Sequence, residues 1–530
     1  LWFLSRPLDT TASSVGADDG AGYAVFSGNE SGPAGGTKQG LLHHMKTTRC
    51  DEILSRNQRF IPGGVISVNR TMDPNIVFAR AKGQHLWDVE GSRYIDYHAA
   101  FSAHFLGHND AHVSAAVRRV LDQDSSLFGA GTTELEGDLA EAICANVDAV
   151  ETVQFLNSGS EATYQAIRLA RAATRRDHVI VMQGGYNGWH NDVACNLMTP
   201  LSVVGSRRTA DEYPVLPISA GMPKSHQALI HPVNFNDLVS VEHVCRKHEV
   251  AALITEPILQ NVGVVQPLPG YMEGLRELAD LHGFLLIFDE VKTGFRHSLG
   301  GFSEICGVVP DLAVYGKALA NGYPIAALGG RAHLMDYFTH PDPGKRVLLA
   351  GTYNAHPVPT AAAVATIERL READGSVYKH VERLGEMLED GLNAATREQG
   401  MPAVIVRRGS AICPYFMDHE PRDWHDIAEH HDMQLDAALR QELIRHGVFV
   451  FPLAVKQWSI SAAHQPADIE ITIEAFRLSL AKVLGRGEPG RFGRGGKVRQ
   501  VGYETGVKPL RASFRRRNTA ERNTVEEACL

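Results

Sequence analysis

Three short segments carry residue types that could do chemistry. Phe284-Leu-Leu-Ile-Phe-Asp289-Glu290-Val291 is an apolar run ending in a carboxylate. An almost wholly apolar strand is expected to be covered on both faces, which places Asp289 at its carboxyl end, where ligands of parallel sheets bind. A carboxylate there could hold a metal, a ribose or a protonated ring nitrogen, or simply cap the next helix. Leu312-Ala-Val-Tyr-Gly316-Lys317 is a second such run, now ending in a lysine. Desolvation at that rim would lower its pKa and leave an amine able to form a Schiff base with an aldehyde. In isolation a Gly-Lys pair reads as a solvated surface lysine. The third segment, Phe155-Leu-Asn157-Ser158-Gly159-Ser160-Glu161-Ala162, runs from a strand through a small-residue turn into a helix. Free amides at such a helix start attract a phosphate, and Ser158 also suits the N-cap.

An aldehyde, a phosphate and a protonatable ring nitrogen together describe pyridoxal 5′-phosphate (PLP). In that reading Asp289 keeps the ring nitrogen protonated, Lys317 holds the aldehyde and moves the substrate proton, and Ser158–Ser160 grips the phosphate. Tyr186, in Gly184-Gly-Tyr186-Asn-Gly-Trp189, either stacks on the ring or packs on the sheet edge.

The elements that must position these residues alternate. Strands are predicted at 153–156, 179–182, 251–254, 284–288, 312–315 and 325–328, and a helix at 160–175. Alternation of this kind implies an α/β fold with a mostly parallel sheet and helices on both faces. The chain has 530 residues, 44% of them hydrophobic and 21% charged, an ordinary globular balance that excludes wholesale disorder. Its net charge of −9 excludes a general polyanion binder. Seven scattered cysteines without CxxC spacing argue against a disulfide framework or a cysteine zinc site, no metal is assigned, and a reducing, cytoplasmic compartment is expected. No apolar run approaches the ~18 residues of a membrane span. The nucleotide-binding signatures GxGxxG after a strand and GxxxxGK[ST] are missing from the core.

Residues 1–44 are read as a disordered leader, with Met45 as the expected natural start. Residues 485–530 are read as a basic disordered tail; from 486 onward it carries eleven Lys/Arg against five Asp/Glu. Such a tail could touch RNA, although a solvated extension is the expectation.

With these motifs in order, the sequence resembles the class III PLP-dependent aminotransferases of fold type I. The nearest branch in motif is the one containing glutamate-1-semialdehyde 2,1-aminomutase. The likeness runs from about Ser55 to Leu484. It includes IPGGV (61–65), AKGQHLWDVEGSRYIDY (81–97), LGH (106–108), NSGSEA (157–162), AIRLAR (166–171), TEP (255–257), FDEVKTGFR (288–296), GVVPDL (307–312), GK (316–317) and AGT (350–352). The resemblance implies a large PLP-binding domain over 105–355 with a seven-stranded, mostly parallel sheet. It implies a smaller α+β domain over 356–484, to which 45–104 contributes. It further implies phosphate contacts from Gly159 and Ser160, ring stacking by Tyr186 opposite Val291, and Asn261 near the cofactor hydroxyl. Thr352 resembles a residue that reaches the neighbouring subunit's phosphate, which implies a homodimer with shared active sites. Asn187 stands where the family commonly has histidine.

For the substrate, the resemblance assigns Arg70 to a carboxylate, a role suited to a bidentate guanidinium, with an ordinary surface ion pair as the alternative. Phe101 stands where the aminomutase has tryptophan. Lys456, in GVFVFPLAVKQW (447–458), stands where the aminomutase is expected to carry glutamate, and would favour an acidic or neutral substrate group. The expected activity is aminotransfer from an amino acid or amine to a carbonyl acceptor. Intramolecular transfer of the aminomutase type is the alternative, and a non-catalytic PLP-fold binding protein is a further one.

Overall fold

A computed structural model describes residues 48–486. The expected leader and the tail beyond Arg486 lie outside the described residues. The central sheet has seven strands: β1 Thr152–Leu156, β2 His178–Met182, β3 Ile230–Val233, β4 Val250–Thr255, β5 Leu285–Glu290, β6 Leu312–Tyr315 and β7 Ala326–Gly330. Their spatial order is β1-β7-β6-β5-β4-β2-β3. All pairings are parallel except those of β7, which runs antiparallel to both β1 and β6.

The sheet is apolar because both faces are covered. In β2, Val179 and Val181 pack with helix α1 (Gly159–Thr174), while the alternate residues Ile180 and Met182 pack with helices α2 (Leu238–Lys247) and α3 (Tyr271–His282). Helix α1 starts where Ser158 accepts a hydrogen bond from the Glu161 amide and ends at Arg175 in the left-handed conformation. It lies over the sheet, so its N-terminus is held at the carboxyl ends of the parallel strands.

A smaller part surrounds two further sheets. Phe78–Lys82, His85–Asp88, Arg93–Asp96 and Val448–Phe449 form one, and Val404–Arg408, Ala411–Tyr415 and Trp458–Ser459 form the other. Residues before the large sheet thus pair with residues near the carboxyl end of the fold, Ile95 with Val448 and Asp96 with Phe449. Among the described residues no helix is long and apolar enough to cross a membrane.

Candidate active site

Asp289 ends the apolar stretch of β5 and is buried. Its Oδ2 accepts a hydrogen bond from Asn187 Nδ2 at 2.9 Å, and its Oδ1 from the Val291 amide at 3.1 Å. Burial raises its pKa, with the Asn187 hydrogen bond and the Lys317 charge opposing. The adjacent strand β6 is in register, Asp289 opposite Val314, and two residues beyond its end comes Lys317. Lys317 takes a left-handed φ of 47° at the start of a 3₁₀ turn. Burial lowers its pKa, while Asp289 and Glu256 pull it upward. The acid and the amine therefore meet at two neighbouring strand tips.

The small-residue turn faces the same place. The hydroxyl of Ser160 accepts from the Trp189 amide at 3.3 Å, and Thr163 Oγ1 donates to the Asn187 carbonyl at 2.6 Å, so the 184–189 loop is pinned to the start of α1. The approach is close enough that a Cβ at Gly188, whose φ is +127°, would lie 3.0 Å from Ser160 Oγ. Tyr186 is 37% exposed, and its amide donates to Glu256 Oε1 at 2.9 Å. Its phenol is pushed up by burial and by Asp289, with Ser160 opposing. A Cβ at Gly159 would lie 2.9 Å from Val291 Cγ2, so the valine packs directly against the first turn of α1.

Two lysines clamp the segment after β4. Lys292 Nζ donates to the Gln260 carbonyl at 2.7 Å, and Lys456 Nζ donates to the Asn261 carbonyl at 2.9 Å and to its side-chain oxygen at 3.1 Å. Asn261 Nδ2 in turn reaches the Gly184 carbonyl at 3.5 Å. Lys456, read from sequence as a substrate contact, thus already holds Asn261 with two of its protons. Burial brings its pKa down to about 8 and drives that of Lys292 well below the usual lysine range. Lys292 was missed by sequence reasoning although it lies inside FDEVKTGFR, because no local signal separates it from a solvated lysine. Asn187 was noted as a missing imidazole; its hydrogen bond to Asp289 had no sequence signal.

Phe101 belongs to an aromatic wall, 4.3 Å from His98 and 5.5 Å from Phe451 between ring centroids. Ala99, Ala100, Phe101 and Ser102 all have positive φ, from 47° to 73°, a left-handed turn without a glycine. It is held by Asp96 Oδ1, which accepts from the His98 and Ala99 amides at 2.8 and 3.0 Å, and by Arg296, which donates to the Ser102 carbonyl. Arg70 and Thr352 stand apart. Both are exposed, and neither side chain is tied by a hydrogen bond or ion pair to the cluster among the described residues.

The site fits PLP by its own chemistry. The amides of Gly159 and Ser160 donate to no acceptor among the described residues, leaving an anion position at the N-terminus of a 16-residue helix. Asp289 is buried with neutral hydrogen-bond partners and makes no ion pair among the described residues, so a protonated ring nitrogen would supply a cation for it. Lys317 lies within electrostatic reach of it, with its amine kept toward the neutral form.

Comparison with known proteins gives the same reading. The family profile described as aminotransferase class-III matches residues 66–457. Glutamate-1-semialdehyde 2,1-aminomutase 2 of Geobacillus thermodenitrificans is 37% identical over 432 residues, 80% of this chain and 96% of that protein. The aminomutase of Syntrophobacter fumaroxidans is 38% identical over 424 residues, 79% and 94% of the two chains. Among solved structures, an omega-transaminase from Sphaerobacter thermophilus superposes with a TM-score of 0.76 at 27% identity, covering 84% of this chain and all of that one. A glutamate-1-semialdehyde aminomutase from Pseudomonas aeruginosa in complex with PMP gives 0.73 at 26% identity, covering 83% and 94%. The expected fold type I architecture and PLP dependence stand, and with the profile spanning most of the chain, this protein is a PLP-dependent enzyme belonging to the class III aminotransferase family.

Proposed function

We propose that the enzyme moves an amino group within a single small amino-oxo acid of the glutamate 1-semialdehyde type. This is the reading that the sequence placed second to transamination between separate partners. The observation that carries it is a group of five curated relatives, 35–38% identical over nearly their whole length and each an aminomutase by name. When bound, PLP supplies the electron sink for the carbanion that forms as a proton leaves carbon. In the proposed roles, Asp289 holds a proton on the ring nitrogen, Asn187 fixes the Asp289 carboxylate, and Lys317 takes up and delivers the proton at the substrate carbon that bears the nitrogen. Ser158, Gly159 and Ser160 hold the phosphate, while Tyr186 and Val291 bracket the ring. Asn261 is aimed at the ring hydroxyl by Lys456. Phe101 shapes the substrate wall, and Arg70 is proposed to bind a carboxylate.

We also propose a homodimer in which Thr352 serves the neighbouring chain's phosphate. Leu348, Tyr353 and Trp189 are 68%, 61% and 68% exposed, and hydrogen bonds from Gln165 to the Leu348 carbonyl and from Asn157 to Asn354 seat the 348–354 loop beside α1. Large exposed side chains next to a site point to a partner surface.

Transamination between separate molecules remains as the second reading, supported by one observation: a lysine, not an acid, occupies position 456. Holoenzyme given glutamate 1-semialdehyde alone separates the two. The expected product is the isomer with its amino group moved from C2 to C1, formed catalytically without added acceptor. Stoichiometric release of an oxo acid from a lone amino donor, with no isomer formed, would select transamination instead.

A further inference from the structure

At the end of the central sheet opposite the catalytic rim, three imidazoles meet. His178 opens β2, His231 is the second residue of β3, and His248 lies between α2 and β4. β2 pairs in parallel with both β3 and β4, so the three histidines come from the amino-terminal ends of neighbouring strands. One ring nitrogen of each lies within 4.8 Å of the other two. His178 Nδ1 and His231 Nε2 are 2.9 Å apart, and the His231 and His248 ring centroids are 4.1 Å apart.

A carboxylate completes the group. Glu212 Oε2 accepts a hydrogen bond from His231 Nδ1, and Oε1 lies 3.7 Å from His248 Nε2. With its Nδ1 proton given to Glu212, His231 carries its lone pair on Nε2, turned toward His178. A ligating histidine usually donates its far N–H to a carboxylate in this way, which fixes the tautomer and raises the basicity of the ligating nitrogen. Imidazole donors select borderline cations such as zinc, nickel and cobalt over calcium or magnesium. His231 is buried, whereas His178 and His248 are only partly so, which leaves a route for an ion to enter.

We propose that His178, His231 and His248 bind a divalent transition-metal cation of the zinc class, with Glu212 orienting His231. The ion would tie β2, the edge strand β3, the α2–β4 connection and the Glu212 loop at one corner of the sheet. None of these residues takes part in the cofactor site.

Holoenzyme stripped with a chelator and dialysed against Zn²⁺ is expected to take up about one ion per chain and to melt at a higher temperature with zinc than without. Co²⁺ in place of zinc should give visible d–d absorption. The variant His178→Gln/His248→Gln, altered only at partly exposed positions, should lose the ion, the cobalt spectrum and the melting shift, while keeping cofactor absorbance and turnover. Glu212→Gln should bind zinc about 10–100-fold more weakly. Wild-type holoenzyme that binds no zinc would overturn the proposal. So would undiminished binding in the double variant, which would move the ion elsewhere, for instance to His419, Asp426 and His430.

Discussion

Asp289 depends on a neighbour the motifs did not advertise. Its carboxylate accepts one side-chain hydrogen bond, from Asn187, and one backbone hydrogen bond. Replacing Asn187 by Leu removes a charge-assisted bond of about 1.5–3 kcal/mol from a buried carboxylate, so kcat/KM should fall by about 10–100-fold. Much of the fold should survive, and cofactor affinity should drop as Asp289 drifts toward its protonated form. Steady-state kinetics with a cofactor titration checks both; unchanged constants would remove Asn187 from the site. Lys456 gives a pH signature of known sign. Its folded pKa is about 8, below the ordinary 10.5. Below pH 8 both folded and unfolded chains hold its proton. Between about 8 and 10 only the unfolded chain does, so this group makes stability rise with pH across that window. Relative to Lys456→Gln, the urea midpoint of the wild type should climb from pH 8 to 10, the full effect approaching roughly 3 kcal/mol.

At the scale of elements, what the sequence revealed and what it hid have separate causes. Strands such as Leu312–Tyr315 are legible because burial on both faces demands an unbroken apolar run, and that demand is local. The Asp289 and Lys317 tips follow from those runs. Strand β3, Ile-His-Pro-Val, escaped prediction because proline cannot donate to a ladder and argues against a central strand. It is tolerated there because β3 is the sheet's edge. The turn at Ala99–Ser102 was equally hidden. Two alanines, a phenylalanine and a serine suggest a right-handed helix, and hydrogen bonds to Asp96 and with distant Arg296 and Ser459 help hold them left-handed. A left-handed non-glycine residue costs about 1–2 kcal/mol, and glycine at the same place sheds that cost while adding unfolded-state entropy of about half to one. Ala100→Gly, at an exposed position, should therefore leave the melting temperature unchanged or raise it by a few degrees, the reverse of an ordinary helical Ala→Gly. Asp96→Ala should destabilise by about 2–4 kcal/mol, since it strands two amides and the His108 ring. If the strained turn places Phe101, turnover should fall with it; thermal melts and kcat on the two variants decide.

For the whole molecule, the question is whether one chain holds a complete site. Within this chain Thr352 is exposed and engages nothing in the cluster, yet its loop lies against α1, whose first turn offers the free amides. Those amides and Lys317 come from one chain; Thr352 is proposed to come from the other. Such sharing has a consequence that no single-chain arrangement reproduces. Lys317→Ala removes the amine, and Thr352→Asp sets a negative charge against the phosphate, so each homodimer alone should be nearly inactive. In a mixed dimer one site carries both lesions, while the other combines an intact Lys317 with an intact Thr352 from the partner. If equal amounts of the two chains are unfolded, mixed and refolded, half the dimers are mixed and half their sites are native, so activity should return to about one quarter of the wild-type value. Absence of any recovery, with mixed dimers demonstrated by differently sized tags, would mean that Thr352 serves its own chain's site. Recovery near one quarter would place a boundary between subunits through the phosphate position, and the exposed Trp189, Leu348 and Tyr353 beside it would then be covered in the working enzyme.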